Sequence, residues 1–195
     1  MANQKISQLT EYTSPIPTDM LPIVDVTNGI TKKISMLNMH GFEHASLSDN
    51  NTKTVVSASA EYAITFDNND DLQGITHTVG DSKIYVPVNG DYLIVVTAVI
   101  DTTSNTVALF DLWVKINGVN LANSNTQVAI NSSNLQQVLT INIILDLNAG
   151  QYFELFYHSN QSVARILAVA AQSGPPAIPA CPSVILTCNR VSINP

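Results

Sequence analysis

LQQVLTINIILDLNAGQYFELFY, from Leu135 to Tyr157, is the stretch of sequence that decides the fold. Successive side chains of a β-strand point to opposite faces, so residues two apart share a face. In the first half of this stretch one face is almost wholly apolar, and it consists of Leu135, Gln137, Leu139, Ile141, Ile143, Leu145 and Leu147. The opposite face is largely polar. The pattern predicts a long strand that covers a core on one side, as in the wall of a β-sandwich.

The second half of the stretch predicts another strand. Asn148, Ala149 and Gly150 interrupt the alternation, and an aromatic-rich segment follows from Gln151 to Tyr157. Asn and Gly favour turns, so we expect the two strands to form a β-hairpin against which the other elements pack.

Further strand-like segments follow one another from Ser59 onward, with turn signals at the roughly 8–12-residue spacing of β-sandwiches. They cover residues 61–66, 75–79, 83–88, 92–101, 108–116, 119–130, 163–171 and 184–193. Tyr92 to Ile100 is apolar on both faces, which predicts a central strand or a subunit contact. Prolines between Ser173 and Pro182 exclude a central strand there. The sequence therefore predicts an all-β fold, an antiparallel jelly-roll sandwich.

The N-terminal region has a different character. Residues 1–39 predict a separate segment with a small hairpin, in which 21–26 and 30–34 are strands joined by a type I′ turn at Asn28-Gly29. Residues 40–58 are polar and predict a linker, and 59–195 form the sandwich domain. Because so small a hairpin is marginal by itself, we expect it to be ordered by docking onto a partner.

Charge and hydropathy narrow the classes of function. Charged residues make up 12% of the chain, about half the usual ~25%, and we expect part of the surface to be buried in an oligomer. A monomer solubilised by Asn, Ser and Thr is the alternative. The net charge of −7 argues against nucleic-acid binding, which depends on Lys and Arg. No apolar run approaches the ~20 residues of a membrane-spanning helix, and no secretory signal is recognisable, so folding in the cytoplasm and no membrane insertion are expected.

No set of residues predicts catalysis or a cofactor, because GxSxG, HExxH and phosphate-binding glycine loops are all missing from the sequence. Asp67, Asp70 and Asp71 are weak calcium candidates whose spacing does not match an EF-hand, and a solvated loop is the alternative. Cys188 is expected to be a small buried strand residue.

Two aromatic residues stand out as candidates for contact with a ligand or a neighbouring subunit. Trp113 lies on the polar side of its predicted strand, between Asp111 and Lys115, and Tyr152 begins the aromatic segment. Exposed aromatic rings stack on sugars, although such residues more often anchor a core or an interface.

Residues 5–39 resemble the virion-anchoring segment of tailed-phage fibre and appendage proteins. The matching residues are Lys5-Ile6-Ser7-x-Leu9, Asp19-Met20-Leu21-Pro22-Ile23-Val24 and Gly29-x-Thr31-Lys32-Lys33-Ile34-Ser35, with Met20 where the pattern usually has Leu. The resemblance implies that Leu21, Pro22, Ile23, Val24, Thr31, Lys32 and Lys33 belong to a segment that binds another virion protein in the capsid, portal or tail.

Residues 60–194 resemble the jelly roll of tumour necrosis factor and of complement globular heads. The resemblance rests on Gly90-Asp91-Tyr92, on 111–118, on 147–155 and on 182–187. It implies a homotrimer packed about a threefold axis. No collagen-like or coiled-coil stalk separates the two regions, which favours a short knob or a decoration over a long fibre.

Together the two resemblances predict a non-enzymatic, trimeric structural protein of a phage virion, assembled in the host cytoplasm. Its head would be displayed as a short fibre or a decoration, with adhesion to the host surface as a candidate role and a host-surface glycan as a candidate ligand. The alternatives are a capsid-stabilising decoration with no receptor role and a glycan-degrading enzyme that uses carboxylates near Asp67–Asp71. A soluble signalling ligand of the same fold is a further alternative, against which the missing secretory signal argues.

Overall fold

The structure, a computed structural model, describes residues 20–25, 27–35, 43–133 and 135–192. The chain divides into two compact units, Met1–Gly41 and Phe42–Pro195. All regular structure of the described residues is β, in sixteen strands. No helix among these residues has the length and apolarity needed to cross a membrane.

The first unit contains a two-stranded antiparallel hairpin of β1 (Met20–Asp25) and β2 (Ile30–Ser35). Asp25 pairs with Ile30, so the connection is the four residues 26–29, longer than the predicted two-residue type I′ turn. Gly29 has a φ of 63°, a conformation that glycine adopts without steric cost.

The second unit is an antiparallel jelly-roll sandwich of two seven-stranded sheets. We call one of them the first sheet, and its strand order is β13-β9-β16-β3-β6. At the C-terminal end of β9, residues 100–102 pair with β15, and β15 in turn pairs with β4. Its strands are β3 (His44–Asp49), β4 (Lys53–Thr54), β6 (Asn68–Gln73), β9 (Gly90–Thr102), β13 (Gln136–Leu147), β15 (Ala164–Ile166) and β16 (Val184–Arg190).

The second sheet is built around β10 and β14. On one side β11 and β12 pair with β10, and on the other β5 and β8 pair with β14, while β7 pairs with β8. Its strands are β5 (Tyr62–Ala63), β7 (Thr76–His77), β8 (Ile84–Tyr85), β10 (Ala108–Ile116), β11 (Val119–Asn120), β12 (Thr126–Ile130) and β14 (Tyr152–Ser159).

The core lies between the two sheets, and the alternation read from the sequence decides which side chains fill it. On β13 the side chains of Leu139, Ile141, Leu145 and Leu147 are buried, as predicted. On β9 every second residue from Tyr92 to Ile100 has no exposed surface. Because β9 pairs along its length with β13 on one side and with β16 on the other, the predicted central position of this strand is confirmed.

The predicted hairpin between β13 and β14 is wrong. β13 pairs with β9 in the first sheet, whereas β14 pairs with β10 in the second. Residues 148–151 therefore turn the chain from one sheet to the other, with Gly150 at a φ of 81°. Turn-forming residues favour reversal of the chain and do not specify whether the returning strand pairs or crosses over.

The predicted linker at 40–58 is also wrong, because β3 lies inside the first sheet between β16 and β6. Ala45 and Leu47 point into the core, while the residues beside them are Ser and His. Two apolar residues make a weak alternation, and the strand is formed by backbone hydrogen bonds to strands remote in sequence. Four other predicted strands are only two or three residues long in the structure, and 119–130 is interrupted by a loop; the four are 61–66, 75–79, 83–88 and 163–171.

Candidate functional site

The outward side of the first sheet is nearly free of charge across three strands. We call it the uncharged face, and it consists of Leu93, Val95, Thr97 and Val99 on β9, Val138, Thr140, Asn142 and Ile144 on β13, and Ile185 and Thr187 on β16. Val138 and Ile144 are 66% and 60% exposed. Exposed apolar residues that adjoin one another in a sheet are typical of a surface that binds another protein.

Charged side chains occur only at the two ends of this face on the described residues of β9, β13 and β16. Asp91 and Asp146 pair at one end, and Asp101 lies at the other, where Arg165 reaches it from β15. The guanidinium donates to both carboxylate oxygens, at 2.6 and 2.8 Å. These hydrogen bonds raise the pKa of Arg165 above its ordinary value, and the pair marks one end of the face.

The outward side of the second sheet is different in character. We call it the tryptophan face, and its central residues are Asp111, Trp113 and Lys115 on β10 and Glu154, Phe156 and His158 on β14. These residues face one another in pairs across the two strands. The face therefore carries charged and aromatic side chains in its middle, where the uncharged face has Val and Thr.

Trp113 borders an open depression of about 380 Å³ on this face. Its indole Nε1 donates a hydrogen bond to Oδ1 of Asn120 at 2.8 Å. The ring of Phe156 lies beside the indole, 6.1 Å between centroids. Both contacts hold the indole in one orientation, and the residue is partly exposed.

Asp111 supplies the negative charge in this depression. Its Oδ1 accepts hydrogen bonds from the side-chain amides of Asn125, at 2.9 Å, and Gln127, at 2.8 Å. His158 Nδ1 lies 3.5 Å from the other carboxylate oxygen, and its Nε2 lies 2.9 Å from the carbonyl of Ala58. The carboxylate is thus fixed in place by neighbours on β12 and β14.

The loop of residues 121–125, which connects β11 to β12, forms the rim of the depression. Ser124 is buried beneath this loop, where its Oγ accepts from the backbone N–H of Val114 at 3.1 Å and donates to the carbonyl of Leu121 at 2.8 Å. Asn123 has a φ of 63°, which Asn adopts more readily than most residues. The rim is therefore anchored to β10 and presents Asn123 at a fixed position.

Behind Phe156, the buried side chain of Lys115 forms an ion pair with Glu61, which is exposed. The Lys115 ammonium lies 4.0 Å from the centre of the Phe156 ring, a cation–π contact. Glu154 beside it accepts a hydrogen bond from Ser82 Oγ at 2.6 Å. These contacts are structural, because they fix the ring that supports Trp113.

Tyr152, the second aromatic candidate, lies apart from the depression. Its ring packs on Tyr85 at 5.3 Å between centroids, and the Lys83 ammonium lies 5.1 Å from its centre. The structure therefore places Trp113 and Tyr152 in the same sheet without bringing them into one site.

The three weak calcium candidates are engaged separately. Asp67 accepts hydrogen bonds from the backbone of Asn50 and from the side chains of Asn51 and Asn68. Asp71 Oδ2 lies 3.0 Å from His44 Nε2. Asp70 is exposed on β6. In the part of the chain that the structure describes, no three acidic, His or Cys side chains are grouped as metal ligands are.

The residues of the anchoring pattern meet in the first unit. Pro22 pairs with Lys33, Ile23 with Lys32 and Val24 with Thr31, and Leu21 lies in the adjoining row of the hairpin. The two halves of the pattern, which are separated by the turn in the sequence, thus face each other strand to strand. The remaining parts of it, at 5–9 and Asp19, lie outside the described residues.

Three titratable groups are buried in the core. Burial raises the pKa of Tyr92 and of Tyr157 to about 12, and it raises the pKa of the Cys188 thiol to about 12. The predicted burial of Cys188 is confirmed. All three point between the sheets, so they contribute to packing and not to a surface site.

Comparison with known proteins adds little to these observations. No protein-family model matches the chain, and no curated protein matches it. Among solved structures, the chain is similar to the globular domain of the zebrafish complement 1qA protein, with 14% sequence identity and a TM-score of 0.48, over 78% of this chain and 99% of that one. The jelly-roll fold described here follows from the order and pairing of the strands.

Proposed function

We propose that this protein is a non-enzymatic, trimeric structural protein of a tailed-phage virion. Its N-terminal segment binds a capsid, portal or tail protein, and its jelly roll is displayed on the particle as a short fibre or a decoration. The proposal combines the sequence resemblances with three features of the structure, taken in turn below.

The observation that carries the proposal is the hairpin of β1 and β2. Four of its large apolar side chains, those of Met20, Leu21, Val24 and Ile30, are between 41% and 67% exposed. An isolated two-stranded hairpin is at best marginally stable in water, so a segment with this much exposed apolar surface is expected to be stabilised by a partner. The motif residues lie on the same two strands, which supports an anchoring role.

The uncharged face supports the trimer. Its Val, Ile, Leu and Thr side chains form a surface without charges in its middle. Contact with a copy of itself would therefore remove no charged group from water there. Its charged residues lie at its ends, where Asp101 is bound by Arg165 and Asp91 accepts a hydrogen bond from Ser192. We infer that three copies bring these faces together around one axis.

The contacts of the acidic residues support a role without catalysis. The glycan-degrading alternative relied on carboxylates near Asp67–Asp71, and a glycosidase needs two of them across one cleft. Asp67 instead accepts three amide hydrogen bonds and Asp71 contacts His44. These bonds suit residues that hold strands and loops together.

Removal of the hairpin tests the anchoring role. A chain that lacks residues 1–41 should fold and form trimers, because every strand of the sandwich lies in the second unit. It should fail to enter particles when it is supplied to a phage that lacks the gene, as probed with an antibody against the jelly roll on purified virions. Normal incorporation of the shortened chain would refute the proposal.

A double variant separates the apolar surface from the mere presence of the segment. Leu21→Asp with Val24→Asp should abolish incorporation while leaving the jelly roll intact. The matched control is Val56→Asp with Val79→Asp, which adds the same charges at two exposed valines of the jelly roll. This control should be incorporated like the unmodified protein.

A further inference from the structure

The depression beside Trp113 has the size and lining of a site for a small ligand. Its volume of about 380 Å³ falls within the range of roughly 300–1,000 Å³ typical of ligand pockets. It contains one large aromatic surface and several hydrogen-bonding side chains, with Leu121 as an aliphatic neighbour. A ligand that suits it must have both an apolar face and a set of polar groups at its edge.

The aromatic component is ready for stacking. The indole of Trp113 is held by Asn120 on one side and by Phe156 on the other, so a ligand that packs on it does not need to order it first. Pyranose rings carry C–H groups on one face, and these pack on aromatic rings as other apolar groups do.

The polar component both donates and accepts hydrogen bonds. The amides of Asn120, Asn123 and Asn125 contain an acceptor oxygen and a donor NH₂ each, and the carboxylate of Asp111 is a strong acceptor. Hydroxyl groups are the ligand groups that match such a mixture, because each hydroxyl donates one hydrogen bond and accepts others.

The charge of the site excludes acidic ligands. The carboxylate of Asp111 is held by two amide donors, and the ring of His158 contacts Asp111 and the carbonyl of Ala58. The chain as a whole has a net charge of −7. A carboxylate, sulfate or phosphate on the ligand would be repelled.

The rim of the site is preformed. Ser124 fixes the 121–125 loop to Val114 and Leu121 through its hydroxyl, which limits the entropy that a ligand would have to remove. Since the rim and the indole are both positioned before binding, a weak polar ligand can still bind with selectivity.

We propose that the site formed by Trp113, Asp111, Asn120, Asn123 and Asn125 binds a neutral saccharide unit, with the sugar ring stacked on Trp113 and its hydroxyls bound to Asp111 and the amides. This gives the displayed jelly roll a class of ligand and therefore rests on the proposed function for its biological meaning. The binding itself is a property of the purified protein.

Trp113 is the single tryptophan of the chain, so its fluorescence reports on the site directly. The full-length protein is titrated with neutral di- and trisaccharides built from hexoses, deoxyhexoses and N-acetylhexosamines, into the millimolar range. Sialylated and sulfated oligosaccharides serve as the acidic set. A saturable change in emission with at least one neutral sugar, and none with the acidic set, is expected. No change with any neutral sugar, or preference for the acidic ones, would overturn the proposal.

Two variants test the named contacts. Asp111→Asn and Asn120→Ala should each weaken binding by about tenfold or more, because each removes a protein group that forms a hydrogen bond with the ligand. Their matched controls, Asp70→Asn and Asn148→Ala, change exposed residues outside the depression and should bind like the unmodified protein. Unchanged affinity in both site variants would show that the sugar binds elsewhere and would overturn the assignment.

Folding and particle incorporation are measured on the same variants. Asn120 is exposed on the short edge strand β11, so Asn120→Ala should keep the urea midpoint of the unmodified protein even if Asp111→Asn does not. Loss of sugar binding with normal incorporation is the expected result. If the site variants fail to enter particles, the proposed assignment of anchoring to the hairpin alone is wrong. The conclusion on sugar binding is unaffected, because it depends only on the fluorescence titration.

Discussion

The two outward faces of the sandwich are built on similar strands and differ in what they present. The uncharged face has Val95 and Thr97 at its centre, while the tryptophan face has Trp113, Lys115 and Glu154 at its centre. β-Branched side chains form a smooth surface with little rotamer freedom to lose on contact. The other face combines charge, aromatic surface and a depression. The uncharged face is therefore the better candidate for contact between copies of the chain, whereas the tryptophan face keeps an open depression beside Trp113.

The comparison depends on a correct division between inward and outward residues, which the substitution Ile141→Asp tests with the largest expected effect. Ile141 lies on the buried side of β13, so an aspartate there would bury an unpaired carboxylate. We expect a loss of several kcal/mol in the free energy of unfolding, of the order of 3–5 kcal/mol, and an insoluble or unfolded product.

The matched control for this change is Asn148→Asp, at an exposed residue directly after the same strand. It should leave the urea denaturation midpoint nearly unchanged, since surface substitutions are usually worth less than about 0.5 kcal/mol. If Ile141→Asp folds with an unaltered midpoint, the division of β13 into two faces is wrong.

The second test compares the two outward faces directly. Ile144→Asp places a charge on the uncharged face, and in a threefold assembly it would bring three carboxylates together. In sedimentation velocity we expect this variant to be a folded monomer, and we expect the unmodified protein to sediment with the mass of three chains. Ala129→Asp adds the same charge to the outward side of the second sheet and should remain trimeric. A trimer in both variants would place the subunit contact elsewhere.

The third test has the smallest expected effect and concerns the core between the two sheets. Cys188 has an ordinary pKa of 9.0 and Tyr92 and Tyr157 one of 10.0, and burial raises each to about 12. Their contribution to stability is therefore complete below pH 9 and declines as the pH rises toward 12. Each group adds a slope of about 1.4 kcal/mol per pH unit once its unfolded form loses the proton.

Between pH 9 and 10 the thiol is the first of these three groups to contribute to the slope. Urea denaturation at several pH values should therefore show a shallower decline for Cys188→Ala. Leu186→Ala, a buried residue of the same strand, should lower stability at every pH and leave the slope unchanged. Equal slopes in the two variants would contradict the role of the buried thiol.

Much of the fold follows from patterns that the chain carries locally. The alternation on β13 and the doubly apolar run of β9 correctly predicted a half-buried strand and a central strand. Burial on one side of a strand imposes a period of two on the sequence, and that period is visible without knowledge of the partners.

The alternation within a strand does not specify which other strands it pairs with. β3 was missed because its identity as a strand comes from pairing with β16, about 140 residues later in the chain. The crossover after Leu147 was read as a hairpin because the same turn residues serve both. For the candidate site, Trp113 was placed correctly on the outward side of its strand, but Asn120, Asn125 and His158 converge on it from separate elements.

The position of β16 determines how the sandwich can be completed. It is the last strand of the jelly roll, yet it lies in the interior of the first sheet between β9 and β3. Until it is synthesised, those two strands have unpaired backbone edges that face each other across a gap, and such edges are templates for pairing with other chains. A chain that stops before residue 184 is therefore expected to aggregate rather than to form a smaller domain. Ribosomes must deliver the chain as far as β16 before the sandwich can close.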